Sequence, residues 1–157
     1  MRTLLPALLL VACNGKGGVC STDPVDGVTA TVNGDAWSAS APTWDSSSGV
    51  VHLLNSDQGA GWFSVVAELT VEGTSVGEAM SNEDYPIEVT LKTGDEGGFA
   101  IWYTSDGDTY STTQGGEGTL YLSALDGDQL TGCMWFSAGP SGSNVTFEDG
   151  RFTAGPQ

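Results

Sequence analysis

Beyond Gly27, apolar and polar residues alternate along the chain with a period of two. Turn-forming residues, mainly Gly, Asn and Asp, interrupt the alternation about every ten positions. This pattern is typical of short antiparallel strands, because successive side chains of a strand point to opposite faces of a sheet. Helical spacing of apolar residues is not sustained over more than two turns, although residues 76–84 predict one short helical turn.

The alternation assigns one set of apolar positions to the core. These positions are Val28, Ala30, Val32, Trp37, Val51, Leu53, Phe63, Val65, Ala67, Leu69, Ile87, Val89, Leu91, Phe99, Ile101, Tyr103, Leu120, Leu122, Met134, Phe136, Ala138, Val145, Phe147 and Phe152. Turns are predicted at Asn33-Gly34, at 95–98, at Asp106-Gly107, at 126–129 and at Asp149-Gly150. We therefore predict an all-β fold, an antiparallel β-sandwich or a partly closed barrel of about nine or ten strands.

The first twelve residues follow the pattern of a signal peptide. Arg2 supplies a positive charge, and an apolar run from Leu4 to Ala12 follows, interrupted by Pro6. As a helix this run would measure about 14 Å, against about 30 Å for the hydrocarbon core of a bilayer. The segment is therefore too short to span a membrane.

The signal-like segment ends in Leu10-Val11-Ala12-Cys13. This tetrapeptide resembles the lipobox of bacterial lipoproteins, in which the signal is cleaved and the new N-terminal cysteine is diacylated. The resemblance implies lipidation at Cys13, whereas the alternative is an ordinary secretory signal. Asn14 follows, and by the same resemblance a residue other than Asp there favours the outer membrane. We expect a signal peptide at 1–12, a lipid-anchored tether at 13–27 and a single β domain at 28–157.

Charge narrows the range of partners. Cleavage before Cys13 leaves 145 residues with all 20 acidic side chains and three basic ones, Lys16, Lys92 and Arg151, for a net charge of −17. Such a surface repels phosphate backbones and anionic headgroups. We expect no nucleic-acid partner, and membrane attachment through the N-terminal lipid alone.

Lipidation of Cys13 leaves two cysteines, Cys20 and Cys133. An even pair in an oxidising compartment predicts a disulfide, and the alternative is two free thiols. Met134, Phe136 and Ala138 are predicted to face the core, so Cys133 faces outward, where the tether can reach it. The bridge would pin the second half of the tether onto the domain.

A set of short motifs resembles a group of bacterial lipoproteins of unknown function. Val32-Asn33-Gly34 precedes Trp37, Leu130-Thr131-Gly132 leads into Phe136-Ser137-Ala138, and Gly150-Arg151-Phe152 follows near the end. The group shares a V-N-G-x-x-W opening, an s-G-x-F-x-F-x-A ending and a final G-x-F. Met134 stands where the group more often has Phe, and Cys133 where it has a small polar residue. The resemblance implies a one-domain, envelope-attached β protein and no catalytic residues.

Two features of the sequence suggest catalysis, but neither identifies a catalytic site. Gly73-Thr74-Ser75-Val76-Gly77 matches the G-x-S-x-G nucleophile elbow, which needs a strand before it, a helix after it and a later histidine. The single histidine, His52, precedes the motif, so we expect Ser75 in a turn or at a strand end. We expect His52 to be a surface residue or a structural residue with its hydrogen bonds satisfied. Twenty carboxylates always allow a glycosidase pair to be nominated, but nothing in the sequence singles one out.

Two acidic doublets are candidate calcium ligands. They are Asp106 and Asp108, and Asp126 and Asp128. Calcium takes six to eight oxygen ligands, and neither doublet extends into its best-known loop pattern. Asp-Gly also favours tight turns for backbone reasons, so we expect turn chemistry first, with calcium as the alternative and otherwise no cofactor.

Function is predicted only coarsely. If strands near 98–104, 117–125 and 130–138 are neighbours, Trp102, Tyr121 and Trp135 share an outer face, and outer aromatic surfaces mark interaction sites. A carbohydrate ligand would stack on these rings, and the alternative is that residues 20–27 cover them. We expect an exported, lipid-anchored envelope protein, a non-catalytic structural or protein-binding module. Carbohydrate binding is the alternative, and a glycan-cleaving enzyme a more distant one.

Overall fold

A computed structural model describes residues 20–47, 50–56, 61–67, 70–71, 74–83, 85–92, 97–140 and 142–157. Within them lie thirteen strands, one short helix and one 3-10 turn. These are β1 (Val28–Val32), β2 (Asp35–Ala39), β3 (Thr43–Ser47), β4 (Val50–Asn55), β5 (Trp62–Ala67), β6 (Thr70–Val71), β7 (Thr74–Ser75), α1 (Val76–Ser81), β8 (Ile87–Lys92), β9 (Gly98–Tyr103), β10 (Thr109–Ser111), the 3-10 turn (Thr112–Gln114), β11 (Gly116–Asp126), β12 (Gln129–Ala138) and β13 (Val145–Pro156).

Eight of the strands close into a mixed barrel. Around the barrel the order is β3-β4-β5-β9-β8-β11-β12-β13, and β13 pairs with β3 to complete the circuit. The β13–β3 and β8–β9 pairs are parallel, and the other pairs are antiparallel. Strands β1, β2 and β10 extend the sheet, while β6 and β7 form a separate small hairpin. The prediction of an all-β sandwich or barrel is confirmed, and the fold is the barrel.

Aromatic side chains fill the barrel interior. Trp37 meets Trp102 edge-on with ring centroids 5.2 Å apart, and Phe147 stacks on Phe136 at 4.9 Å. Phe63 also contacts both Trp37 and Phe147. Such pairs contribute roughly 0.5–1.5 kcal/mol each beyond the burial of their area. The interior is therefore a packed core.

Strict alternation explains why most strands present the predicted faces. Strand β8, with the sequence IEVTLK, buries Ile87, Val89 and Leu91 and exposes the residue that follows each of them. Strand β9 contradicts the prediction, because Gly98, Ala100 and Trp102 point inward while Phe99, Ile101 and Tyr103 are only partly buried. Its sequence GFAIWY carries no polar residue, so alternation does not determine which face is buried.

Glycine-containing turns mostly fall where they were predicted. Asn33 and Gly34 both have positive φ, 52° and 89°, and connect β1 to β2, as a tight hairpin requires. Asp149-Gly150 is different, because β13 runs through it without turning. Asp149 has φ 52° at a bulge, where the register with both β1 and β12 shifts. A bulge and a tight turn can require the same positive φ, so Asp-Gly signals either of them.

The predicted helical turn is confirmed as α1, and Ser75 begins it. The Ser75 hydroxyl accepts a hydrogen bond from the Glu78 backbone N–H at 3.2 Å, and the Ser75 backbone N–H donates to the Glu78 carboxylate at 3.1 Å. This reciprocal arrangement is a capping box. The G-x-S-x-G serine is therefore an N-cap at a strand end.

Candidate functional site

The outer faces of β4, β5 and β9 carry partly exposed apolar side chains, and we call six of them the outer stripe. They alternate with buried residues of the same strands, and all lie outside the core cluster formed by the described residues. The outer stripe consists of Leu54, Trp62, Val66, Phe99, Ile101 and Tyr103. Its position follows from the period of two, because each inward side chain places its neighbours outside.

Cross-strand pairing brings the outer stripe together. Trp62 lies opposite Tyr103, and Val66 lies opposite Phe99 in the β5–β9 ladder. The rings of Trp62 and Tyr103 stack with centroids 3.6 Å apart and an interplanar angle of 7°. Directly opposite aromatic pairs of this kind contribute roughly 0.2–1 kcal/mol to a sheet. The outer stripe is therefore a mainly apolar surface across three neighbouring strands, with a stacked aromatic pair at one end and the partly buried Ser64 between that pair and Val66.

Polar and acidic groups border the outer stripe. The β9–β10 turn follows Tyr103 directly and exposes Asp106 and Asp108. On the β3 side, Asp45 lies opposite His52, whose side chain is exposed, the first of the two predicted settings. A shallow surface depression begins beside the same turn and is lined by Asp108, Thr109, Tyr110, Gln114, Pro140 and Ser143.

The other side of the barrel is occupied by the chain's own N-terminal segment. A disulfide joins Cys20 to Cys133 on β12, with Cα atoms 5.8 Å apart, so the predicted pairing is confirmed. The Val25 backbone N–H donates to the Thr153 hydroxyl at 2.8 Å, and the Thr153 N–H donates to the Gly27 carbonyl at 3.1 Å. Residues 20–27 are therefore held along the outer faces of β12 and β13.

The three predicted ligand-binding aromatics do not form one surface. Trp102 points into the barrel and is 3 % exposed, so its predicted outward orientation is wrong. Tyr121 on β11 and Trp135 on β12 do lie outside and are partly buried. Strand β8 separates β9 from β11, so the three strands are not consecutive neighbours as the prediction required. The β9 error follows from the face ambiguity of its all-apolar sequence.

The surroundings of Tyr121 and Trp135 differ. Tyr121 lies between Cys133 and Glu88 of the two adjacent strands. Burial, then the charge of Glu88 and a hydrogen bond with it, raise the pKa of the Tyr121 phenol above its ordinary value. The indole nitrogen of Trp135 is buried without a hydrogen-bond partner among the described residues.

Both acidic doublets lie in turns. Gly127 and Asp128 form the two-residue loop between β11 and β12, where Gly127 has φ 59° and the Asp128 carbonyl accepts a hydrogen bond from the Trp44 indole at 2.9 Å. In the other turn, the Asp108 carbonyl accepts from the Thr104 N–H at 2.9 Å. Across the described part of the chain, no group of three or more His, Cys, Asp or Glu side chains is placed to hold a metal ion.

Sequence reasoning missed Trp62 and Tyr103 as surface residues. The signal for Trp62 was present, because it directly precedes Phe63, which was predicted to face the core, so alternation places Trp62 on the outer face. Tyr103 had no such signal, since the buried face of β9 is not encoded by alternation.

Comparisons of the chain with protein-family models, with curated proteins and with solved structures found no match. In the described ranges, no helix combines the length and apolar character that crossing a membrane requires. Cys13 and the predicted signal peptide lie outside the described residues.

Proposed function

We propose that this protein is an exported, lipid-anchored protein of the cell envelope whose barrel is a non-catalytic, protein-binding module. Export and anchoring are supported by the signal-like segment 1–12 and by the lipobox-like Leu10-Val11-Ala12-Cys13. Asn14 after the lipidated position supports the outer membrane as the destination. The lipid at Cys13 attaches the module to the membrane, because its acidic surface does not attract anionic headgroups.

The observation that carries the binding role is the outer stripe. Large exposed apolar patches mark interaction sites, and the outer stripe gathers six partly exposed apolar side chains on three neighbouring strands. Trp62 and Tyr103 are of the residue types that dominate binding energy at protein interfaces, and their mutual stacking fixes them before a partner arrives. A pre-ordered aromatic pair loses little side-chain entropy on docking.

Carbohydrate binding has less support on this surface. Sugars bind aromatic side chains by stacking on ring faces, and Trp62 and Tyr103 each cover one face of the other. The three-ring platform of Trp102, Tyr121 and Trp135 is not formed, because Trp102 is in the core. A protein partner, which contacts ring edges and aliphatic side chains as well as faces, fits the outer stripe better.

Site-specific photo-crosslinking in the native host tests the proposal. A photo-crosslinking amino acid replaces Ser64, which is partly buried and lies opposite both Leu54 and Ile101 of the outer stripe. The same amino acid at Thr29, exposed on β1, is the matched control. We expect a light-dependent protein adduct from position 64 and none from position 29. Equal labelling at both positions, or no adduct at position 64, would remove the outer stripe as a binding surface.

A further inference from the structure

The outer stripe and the disulfide lie on opposite sides of the barrel. In the closed circuit, β5 is four strands from β12 and β9 is four strands from β13, whichever way the circuit is followed. Cys133 is on β12, and residues 20–27 run along β12 and β13. The outer stripe therefore faces away from the point where the chain leaves the barrel towards its predicted lipid.

This geometry argues against the chain's own N-terminus as the occupant of the outer stripe. From Cys20 back to Cys13 a fully extended chain spans about 25 Å. Half the circumference of an eight-stranded barrel, measured at its outer side chains, is roughly 40 Å. The membrane is not the occupant either, because the acidic border of the outer stripe repels anionic headgroups.

Charge argues against a second copy of the chain. Each mature copy carries a net charge of −17. Docking two outer stripes would bring acidic borders together within about one Debye length, roughly 8–10 Å at physiological ionic strength, where repulsion is only partly screened. A partner of opposite charge gains from the same field that repels a copy.

The charged side chains that border the outer stripe are mainly acidic. Asp106 and Asp108 are exposed at the Tyr103 end, and Asp45 lies at the β4 side. The described cation nearest along the sheet is Lys92 on β8, and it already lies opposite Glu117 of β11. This border therefore offers carboxylates to a partner, around an apolar centre.

We infer that the occupant of the outer stripe is a basic protein surface, with an apolar or aromatic centre and a rim of Lys or Arg. The inference rests on the proposed binding function and specifies its partner. Apolar contact at the centre supplies affinity, while the acidic border speeds encounter and excludes acidic proteins.

Charge reversal tests the inference with the crosslinker kept at position 64. Asp106→Lys with Asp108→Lys reverses the border beside Tyr103, and Asp35→Lys with Glu148→Lys is the matched control away from it, on β2 and β13. The β9–β10 turn keeps its hydrogen bonds to the Asp108 backbone and the Thr104 hydroxyl, so the fold is retained, and circular dichroism and thermal unfolding check this. We expect the adduct yield to fall at least fivefold in the first variant and less than twofold in the control.

The adduct itself distinguishes the occupants. Mass spectrometry should identify a protein with an excess of Lys and Arg, and the yield in isolated envelopes should decrease as salt is added. An adduct with a second copy, with glycan or with lipid would overturn the inference, as would a yield that charge reversal and salt leave unchanged. Complete absence of an adduct at position 64 is a different result, because it removes the proposed binding function itself.

Discussion

Trp62 and Tyr103 stack face to face on the outside of the barrel, with ring centroids 3.6 Å apart, while the residue before Tyr103, Trp102, points into the core. Two consecutive aromatics of one strand therefore serve opposite purposes. Trp102 packs against Trp37 and Phe147 inside, and Tyr103 forms the end of the outer stripe. Truncation of Trp62 and truncation of Trp102 should therefore have different effects on stability.

Trp102→Ala should destabilise the protein far more than Trp62→Ala. Removing a buried tryptophan leaves a cavity and costs about 3–5 kcal/mol of unfolding free energy. Trp62 is only partly buried, so its loss should cost about 1 kcal/mol, comparable with a cross-strand pair. Urea unfolding followed by far-ultraviolet circular dichroism measures both. A larger loss for Trp62→Ala than for Trp102→Ala would contradict the assignment of the two faces.

The faces of most strands could be predicted from the sequence because a polar residue marks every second position. Strand β8 alternates strictly, so its buried residues were unambiguous. In β9 both faces are apolar, so polarity does not determine which of them is buried. Gly61 has φ 128°, and a Cβ at this position would overlap the indole of Trp102. Such a fit between residues about 40 positions apart in the chain is not visible in a local pattern.

The candidate site was predictable only in part. Counting cysteines was enough to predict the Cys20–Cys133 pair, because two remained after Cys13. The outer stripe depends on β5 pairing with β9, strands separated along the chain by β6, β7, α1 and β8. Alternation gives the face of each strand but not which strands are neighbours, and the parallel β8–β9 pair was not anticipated.

Tyr121 should ionise at a higher pH than an ordinary tyrosine. Burial is the main cause, and the charge of Glu88 and a hydrogen bond with it add to the rise in pKa. Because the pKa of Tyr121 is higher in the folded protein than its unfolded value of about 10, the neutral phenol favours the folded state below that pH. This contribution to stability is lost as the pH rises through the folded-state pKa. Near-ultraviolet absorbance of phenolate, taken as the difference between wild type and Tyr121→Phe, isolates this group. Glu88→Gln should lower the pKa of Tyr121, and an unchanged titration would contradict the assignment.

Cys13 should carry the lipid. Metabolic labelling with a palmitate analogue in the native host should tag the wild-type protein, because the lipobox-like sequence implies diacylation at this position. Cys13→Ala should abolish the label and release the protein from the membrane fraction. Cys20→Ser, which keeps Cys13, is the matched control and should remain labelled. Labelling of Cys13→Ala would show that the lipid is attached at another position.

Removing the disulfide should destabilise the domain without abolishing the barrel. The bridge closes a loop of 113 residues, and in the chain-entropy model a loop of this length stabilises by up to about 4–5 kcal/mol, chiefly by restricting the unfolded chain. The barrel strands pair independently of residues 20–27, so Cys20→Ser with Cys133→Ser should still fold, with a lower urea midpoint. Wild type in reductant should show the same loss, whereas reductant should not alter the double variant.

The same variant separates the stability effect from the positioning effect of the bridge. Without it, residues 20–27 keep their hydrogen bonds to the hydroxyl and the backbone N–H of Thr153 but lose the covalent link to β12. This segment should become accessible to protease while the barrel resists. Limited proteolysis with N-terminal sequencing locates the first cut, and cleavage within 20–27 of the double variant but not of wild type is expected. Non-reducing peptide mapping provides the control, since one linked pair containing Cys20 and Cys133 should be recovered from wild type. Free thiols at both positions in freshly isolated protein would contradict the bridge and with it the orientation of the outer stripe.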